Sequence, residues 1–159
     1  MNKLLNIKYI ILKFNKIIIF GASGFIGKNI ALSFKKKFKN TKIIGTYFKN
    51  KTQIKGIHFV KCDLTNKKSV DKIIKNSDII IQAAAVTSGA KEIITKPYIH
   101  VSQNVIMNSI VTQSAYENHV KHIILFSCTL MYRSSKKALK EKDFDANKEM
   151  YPNYFGGGW

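Results

Sequence analysis

The feature that most constrains this chain is an apolar run, Ile17-Ile18-Ile19-Phe20, that leads straight into the string GASGFIG with glycines at positions 21, 24 and 27. An unbroken β-branched run suits a strand covered on both faces, the setting of a parallel sheet. Residues 25–38 follow, with Phe25, Ile26, Ile30 and Phe34 at spacings that suit the buried face of a helix. Lys35, Lys36 and Lys37 fall near the end of that helix, where cations complement its dipole. In a strand-turn-helix unit, Gly21 permits the tight turn, Gly24 lets the backbone approach an anion, and Gly27 lets the helix pack closely on the strand. The free amides and dipole at the helix start then favour the paired phosphates of a dinucleotide. The spacing is GxxGxxG, which departs from the GxGxxG form of such turns.

Downstream, short apolar runs alternate with longer mixed segments, the pattern of βα units. Residues 42–47, 57–61, 78–82 and 123–127 read as further strands. Residues 65–75 read as a short helix that Thr65 can cap. Residues 102–118 read as a long helix with Val105, Ile106, Ile110 and Val111 on one side. The expected class is α/β, a Rossmann-like doubly wound parallel sheet with strand order 3-2-1-4-5. Residues 1–14 read as a leader segment and 15–159 as one dinucleotide-binding domain. Beyond residue 129 the chain turns polar and highly charged, so the domain is expected to lack its last strands and a substrate domain at the carboxyl end.

Net charge of +18 raises nucleic acid as a partner, but the lysines are spread along the whole chain, and no helix-turn-helix, zinc site or aromatic RNA-binding motif accompanies them. No nucleic acid is expected. Cys62 and Cys128 stand far apart without a CxxC spacing, which argues against a disulfide framework or a metal site and for a reducing cytoplasm. The apolar amino terminus is interrupted by Lys8 and Lys13, and no stretch reaches the roughly 18 apolar residues of a span, so no membrane is expected.

With these elements in place, GASGFIG after an apolar strand resembles the extended short-chain dehydrogenase/reductases, the NAD-dependent epimerase/dehydratase family that acts on nucleotide sugars. The likeness covers about residues 16–132, and the stretch from Gln103 and Asn104 to Ser127 is similar to the GDP-L-fucose synthase branch. It implies a nicotinamide cofactor held by Gly21, Ser23, Gly24, Phe25, Ile26 and Gly27, with Asp63 and Leu64 at the adenine. Ala83, Ala84 and Ala85 would let the cofactor pass over the fourth strand, and Asn104 would lie beside the active site, although a lone helical Asn is as often structural. Hydride would pass between nicotinamide and a sugar carbon, a nucleotide-sugar being the substrate partner. The assembly expected is a homodimer.

Cofactor preference turns on the end of the second strand. An acidic residue there would accept hydrogen bonds from the NAD ribose, and GTYFKNK contains none. Lys49 or Lys51 could pair with a 2'-phosphate instead, which favours NADP over NAD.

The family's chemistry needs a hydroxyl after the fifth strand and a Tyr with a Lys four residues on, whose charge favours the phenolate. The hydroxyl falls on Thr129 first and Ser127 second, with Cys128 between them as a packing thiol. Tyr132 and Lys136 match the Tyr-Lys spacing but sit almost on the hydroxyl motif and read as a decoy. Tyr154 has the expected separation and Tyr151 is second choice, yet Gly158 and Phe155 stand where the Lys belongs. The expectation is a nucleotide-sugar epimerase, dehydratase or reductase portion without full activity as it stands. The alternative is a noncatalytic dinucleotide-binding module or inactive fragment.

Overall fold

The computed structural model of the chain describes residues 14–145 apart from 88, 97, 128–131, 133 and 134. The expected leader lies outside the described residues, except for Phe14. Five parallel strands, β1 (Lys16–Phe20), β2 (Lys42–Tyr47), β3 (His58–Lys61), β4 (Ile79–Gln82) and β5 (His122–Leu125), form one sheet in the order β3-β2-β1-β4-β5. This is the doubly wound order read from the sequence.

Isoleucine explains the centre of the sheet. In register, Ile17 lies beside Ile43 and Ile79, and Ile18 beside Ile44 and Ile80. Successive side chains leave a strand on opposite faces, so these rows feed two separate cores. Ile18, Ile44 and Ile80 meet Val70, Ile73 and Ile74 of α2 (Lys67–Ile74) and Met107, Val111 and Ala115 of α4 (Tyr98–Glu117). Ile17, Ile19, Ile43, Ile79 and Ile81 meet Ala31 of α1 (Phe25–Lys37), with Ile30 and Phe34 packed alongside. Each fully buried isoleucine is worth about 1.5–3 kcal/mol of transfer free energy.

Three helical expectations are corrected. α1 turns Gly27 and Ala31 to the sheet, whereas Phe25 and Ile26 are 86% and 51% exposed. Small residues face the strands because the helix lies too close for large ones. In α4, Val105 and Ile106 are exposed while Asn104, Met107, Val111, Ser114 and Ala115 are buried, so its inward face is partly polar. α2 is capped by Asn66, whose Oδ1 accepts the Ser69 N–H at 3.2 Å, and not by Thr65, which donates from its backbone and hydroxyl to Asp63. A short helix, α3 (Ala90–Thr95), precedes α4, which itself starts four residues earlier than expected. Asn66→Ala should cost about 1 kcal/mol and lower Tm by roughly 2–4 °C in a thermal melt. An unchanged Tm would show that α2 is held by packing alone.

Candidate dinucleotide site

The chain leaves β1 for β2 and β3 on one side and β4 and β5 on the other, so the sheet switches direction between β1 and β4. In open parallel sheets a crevice forms at the carboxyl ends of the strands at that point. Here it is a cleft of about 420 Å³, walled by the residues that follow β1, β2, β3 and β4 and by Gln103 and Met107 of α4.

Its floor is the glycine turn. Gly21 has φ of +71°, a left-handed conformation that side chains resist, and a Cβ there would stand 2.7 Å from the backbone N and Cα of Ala84. The Gly21 N–H donates to Thr46 Oγ1 on β2 at 3.1 Å, which ties the turn to the neighbouring strand. Gly27 is bare for another reason: a Cβ would fall 2.3 Å from the Gly21 carbonyl oxygen, where nothing fits.

Gly24 is different. It caps α1 with an extended backbone, φ −81° and ψ 171°, which any residue adopts, and a Cβ would meet only the Gly21 oxygen, at 3.4 Å. Neither packing nor conformation requires glycine there. A Ser, Asp or Asn would cap the helix better, yet α1 has no side-chain cap and no acidic residue in its first turn. The Gly24 oxygen accepts the Lys28 N–H at 2.9 Å, the opening bond of the helix, so the amides of Phe25, Ile26 and Gly27 precede the ladder. A bare, positively polarised helix start beside a cleft is a place where a negative charge would be stabilised.

Of the expected cofactor residues, the cleft brings together Gly21, Ser23, Gly24, Lys49, Asp63, Leu64, Ala83, Ala84 and Ala85. Phe25 and Ile26 do not wall it; their side chains point to solvent and only their backbone belongs to the helix start. Gly27 is buried behind the turn, and Lys51 borders a separate hollow beside β3. Asn104 is 3% exposed and off the cleft wall. Its Oδ1 accepts the Val86 N–H at 2.8 Å and its Nδ2 donates to the Val86 oxygen at 3.0 Å, so it fastens the loop after β4.

Lys49 is the one cation among the residues walling the cleft and Asp63 the one anion. Asp63 Oδ1 accepts the backbone N–H and the hydroxyl of Thr65, at 2.9 and 2.7 Å, which orients the carboxylate after β3. Beside it, burial and then the charge of Asp63 push the Cys62 thiol up to about 12, so it stays protonated and is no nucleophile. Ser127 lies exposed just past β5 at the same edge of the sheet. Thr129, Cys128, Tyr151 and Tyr154 lie outside the described residues. Among the described residues no group of His, Cys, Asp and Glu is placed to hold a metal, and no helix is long and apolar enough to cross a membrane.

Sequence reasoning missed Thr46, Phe48, Thr65, Gln103 and Met107, all of which border the cleft. Thr46 carried a usable signal, a hydroxyl near the end of a strand whose middle residues, Ile43, Ile44 and Gly45, are apolar; the others acquire meaning only from the fold.

The pattern of the NAD dependent epimerase/dehydratase family matches residues 17–154. The chain belongs to that family. No match was found among curated protein sequences. Among solved structures, uronate dehydrogenase from Agrobacterium tumefaciens is similar at 16% identity and a TM-score of 0.61, over 74% of this chain and 42% of that one. UDP-glucose 4-epimerase from Thermotoga maritima is similar at 17% identity and a TM-score of 0.63, over 73% and 38%. MoeE5, solved with UDP-glucose and NAD, is similar at 15% identity and a TM-score of 0.69, over 82% and 42%. These likenesses carry the epimerase/dehydratase family's fold, and the chain spans only about two-fifths of the length of those structures, 38–42%.

Proposed function

We propose that the chain forms the cofactor-binding portion of a nucleotide-sugar epimerase, dehydratase or reductase and takes NADP in preference to NAD. The bareness of Gly24 carries the reading. Its open position costs the helix a cap and benefits nothing inside the protein, which is understandable if a diphosphate occupies the space. The residues present fit a dinucleotide along its length. The first-turn amides of α1 hold the phosphates, Ala83 to Ala85 keep the passage over β4 open, and Asp63 with Leu64 border the far end. Lys49, with no carboxylate at the end of β2, offers a charge partner for a 2'-phosphate.

When bound, nicotinamide supplies hydride exchange with a sugar carbon. Thr129 or Ser127 would position the sugar oxygen and Tyr154 would hold its proton. A second reading, a noncatalytic dinucleotide-binding module, is favoured by Gly158 in place of the Lys four residues after Tyr154.

The test is a titration with NADPH and NADH followed by nicotinamide fluorescence. Wild-type protein should bind both, NADPH more tightly, and Lys49→Ala should bring the two together. Gly24→Asp should weaken both by at least about tenfold through like-charge repulsion. Because Asp is a good N-cap, this variant should melt no lower than wild type. Failure of the wild type to bind either nucleotide would sink the proposal, and equal binding by Gly24→Asp would remove the phosphates from the turn.

A further inference from the structure

Three Ile residues make up the rest of β4, yet its last position, Gln82, is a carboxamide only 4% exposed. Burying such a group is unfavourable unless its hydrogen bonds are made. A fourth isoleucine would satisfy the packing, so the amide is there for what it bonds. Gln82 Oε1 accepts the Ala84 N–H at 3.3 Å, and Gln82 Nε2 donates to Oδ1 of Asn108 on α4 at 3.1 Å.

Like Thr46 on β2, Ala84 is one of the places where the turn meets the rest of the protein. Its N and Cα are the atoms 2.7 Å from the place a Gly21 Cβ would occupy, so its position decides how deep the turn sits. Ala84 lies past the end of β4, one residue beyond the last bond to β1, from the Ala83 N–H to the Phe20 oxygen at 3.1 Å. Its N–H is held by Gln82, and Gln82 in turn is held by α4.

We propose that Gln82 and Asn108 are a positioning pair that sets the Ala83–Ala85 bend, and through Gly21 the diphosphate-binding turn, relative to α4. Neither residue walls the cleft. The inference rests on the reading that the cleft takes a nicotinamide dinucleotide.

Gln82→Met keeps the side-chain length and removes both bonds; Asn108→Leu removes the outer one at a half-buried site; Asn108→Asp keeps an acceptor for Gln82. The full chain and these variants are titrated with NADPH and with adenosine 2'-phosphate, which lacks the diphosphate. Asn108→Leu should weaken NADPH roughly tenfold, the usual scale for one lost internal hydrogen bond, and Gln82→Met, which loses two, by at least as much. Adenosine 2'-phosphate should bind as to wild type, and Asn108→Asp should retain NADPH. Should Gln82→Met fail to fold, Asn108→Leu with Asn108→Asp reads the same pair. Unchanged NADPH binding in the variants, or equal losses for both ligands, overturns the positioning role. Absence of NADPH and NADH binding in the wild type itself overturns the cofactor reading instead.

Discussion

Gly27→Ala will lower the stability of this protein by about 2 kcal/mol and remove nucleotide binding with it. The added methyl would stand 2.3 Å from the Gly21 carbonyl oxygen, a backbone atom that cannot swing aside. α1 must therefore lift off β1, and overpacking of this kind costs about 1–3 kcal/mol. Alanine returns up to about 1 kcal/mol of helix propensity, which is why the net loss is not larger. Thermal melting should fall by roughly 4–8 °C for a chain of this size. Because the same shift tilts the first-turn amides, NADPH fluorescence should show no saturable binding. Phe25→Ala, at an 86% exposed position two residues away, should change stability by less than about 0.5 kcal/mol. If Gly27→Ala melted like the wild type, the close approach of helix and strand would be wrong.

The second large effect lies at the opposite end of the sheet. The Asp78 side chain is 9% exposed and gathers the starts of three strands. Its Oδ2 accepts the N–H groups of Asn15 and Lys16, at 2.7 and 3.1 Å, and its Oδ1 accepts Lys121 Nζ at 2.7 Å. Asp78→Ala would leave two backbone donors and an ammonium without this acceptor, a loss of about 3 kcal/mol. Lys121→Ala should cost less than about 1 kcal/mol, because the Lys121 side chain is 65% exposed.

Acid should reveal the same group. The hydrogen bond from Lys121, then those from the Lys16 and Asn15 backbones, hold the Asp78 carboxyl below the usual carboxylate range despite its burial. A depressed folded pKa means that the unfolded chain takes up the proton first as pH falls. The stabilisation is therefore complete above the unfolded value of roughly 4 and disappears as pH drops through the folded one. Urea midpoints of wild type and Asp78→Ala should draw closer as pH falls from 7 to 3. A gap that stayed constant through that range would show that Asp78 acts by shape and not by charge.

The strands and the glycine turn were legible because they are written in repetition: Ile17, Ile18 and Ile19, then glycines at positions 21, 24 and 27. Lys49 and Asp63 could be placed because they follow strands in a topology that brings strand ends together. The helices were harder. On α1 the face toward the sheet is marked by the smallness of Gly27 and Ala31, while apolarity pointed to Phe25 and Ile26, which are outside. On α4 the inward Asn104 and Ser114 broke the apolar stripe. Asn104 faces inward because it bonds Val86, 18 residues earlier in the chain. Thr46, Gln82 and the half-buried Asn108 share that property: a polar side chain turned inward means little until its partner is known. Thr46 bonds Gly21 across 25 residues of sequence, and Gln82 bonds Asn108 across 26.

The floor of the cleft is made of main-chain atoms, and this gives it an uneven sensitivity to change. Under the proposed reading, truncating side chains around the turn should remove little of the grip, which that reading assigns to the amides of residues 25–27 and the left-handed bend at Gly21. At the turn itself, additions are what should injure it. A conventional alanine scan would pass over most of this surface in silence, whereas putting atoms where glycine leaves none would find it at once.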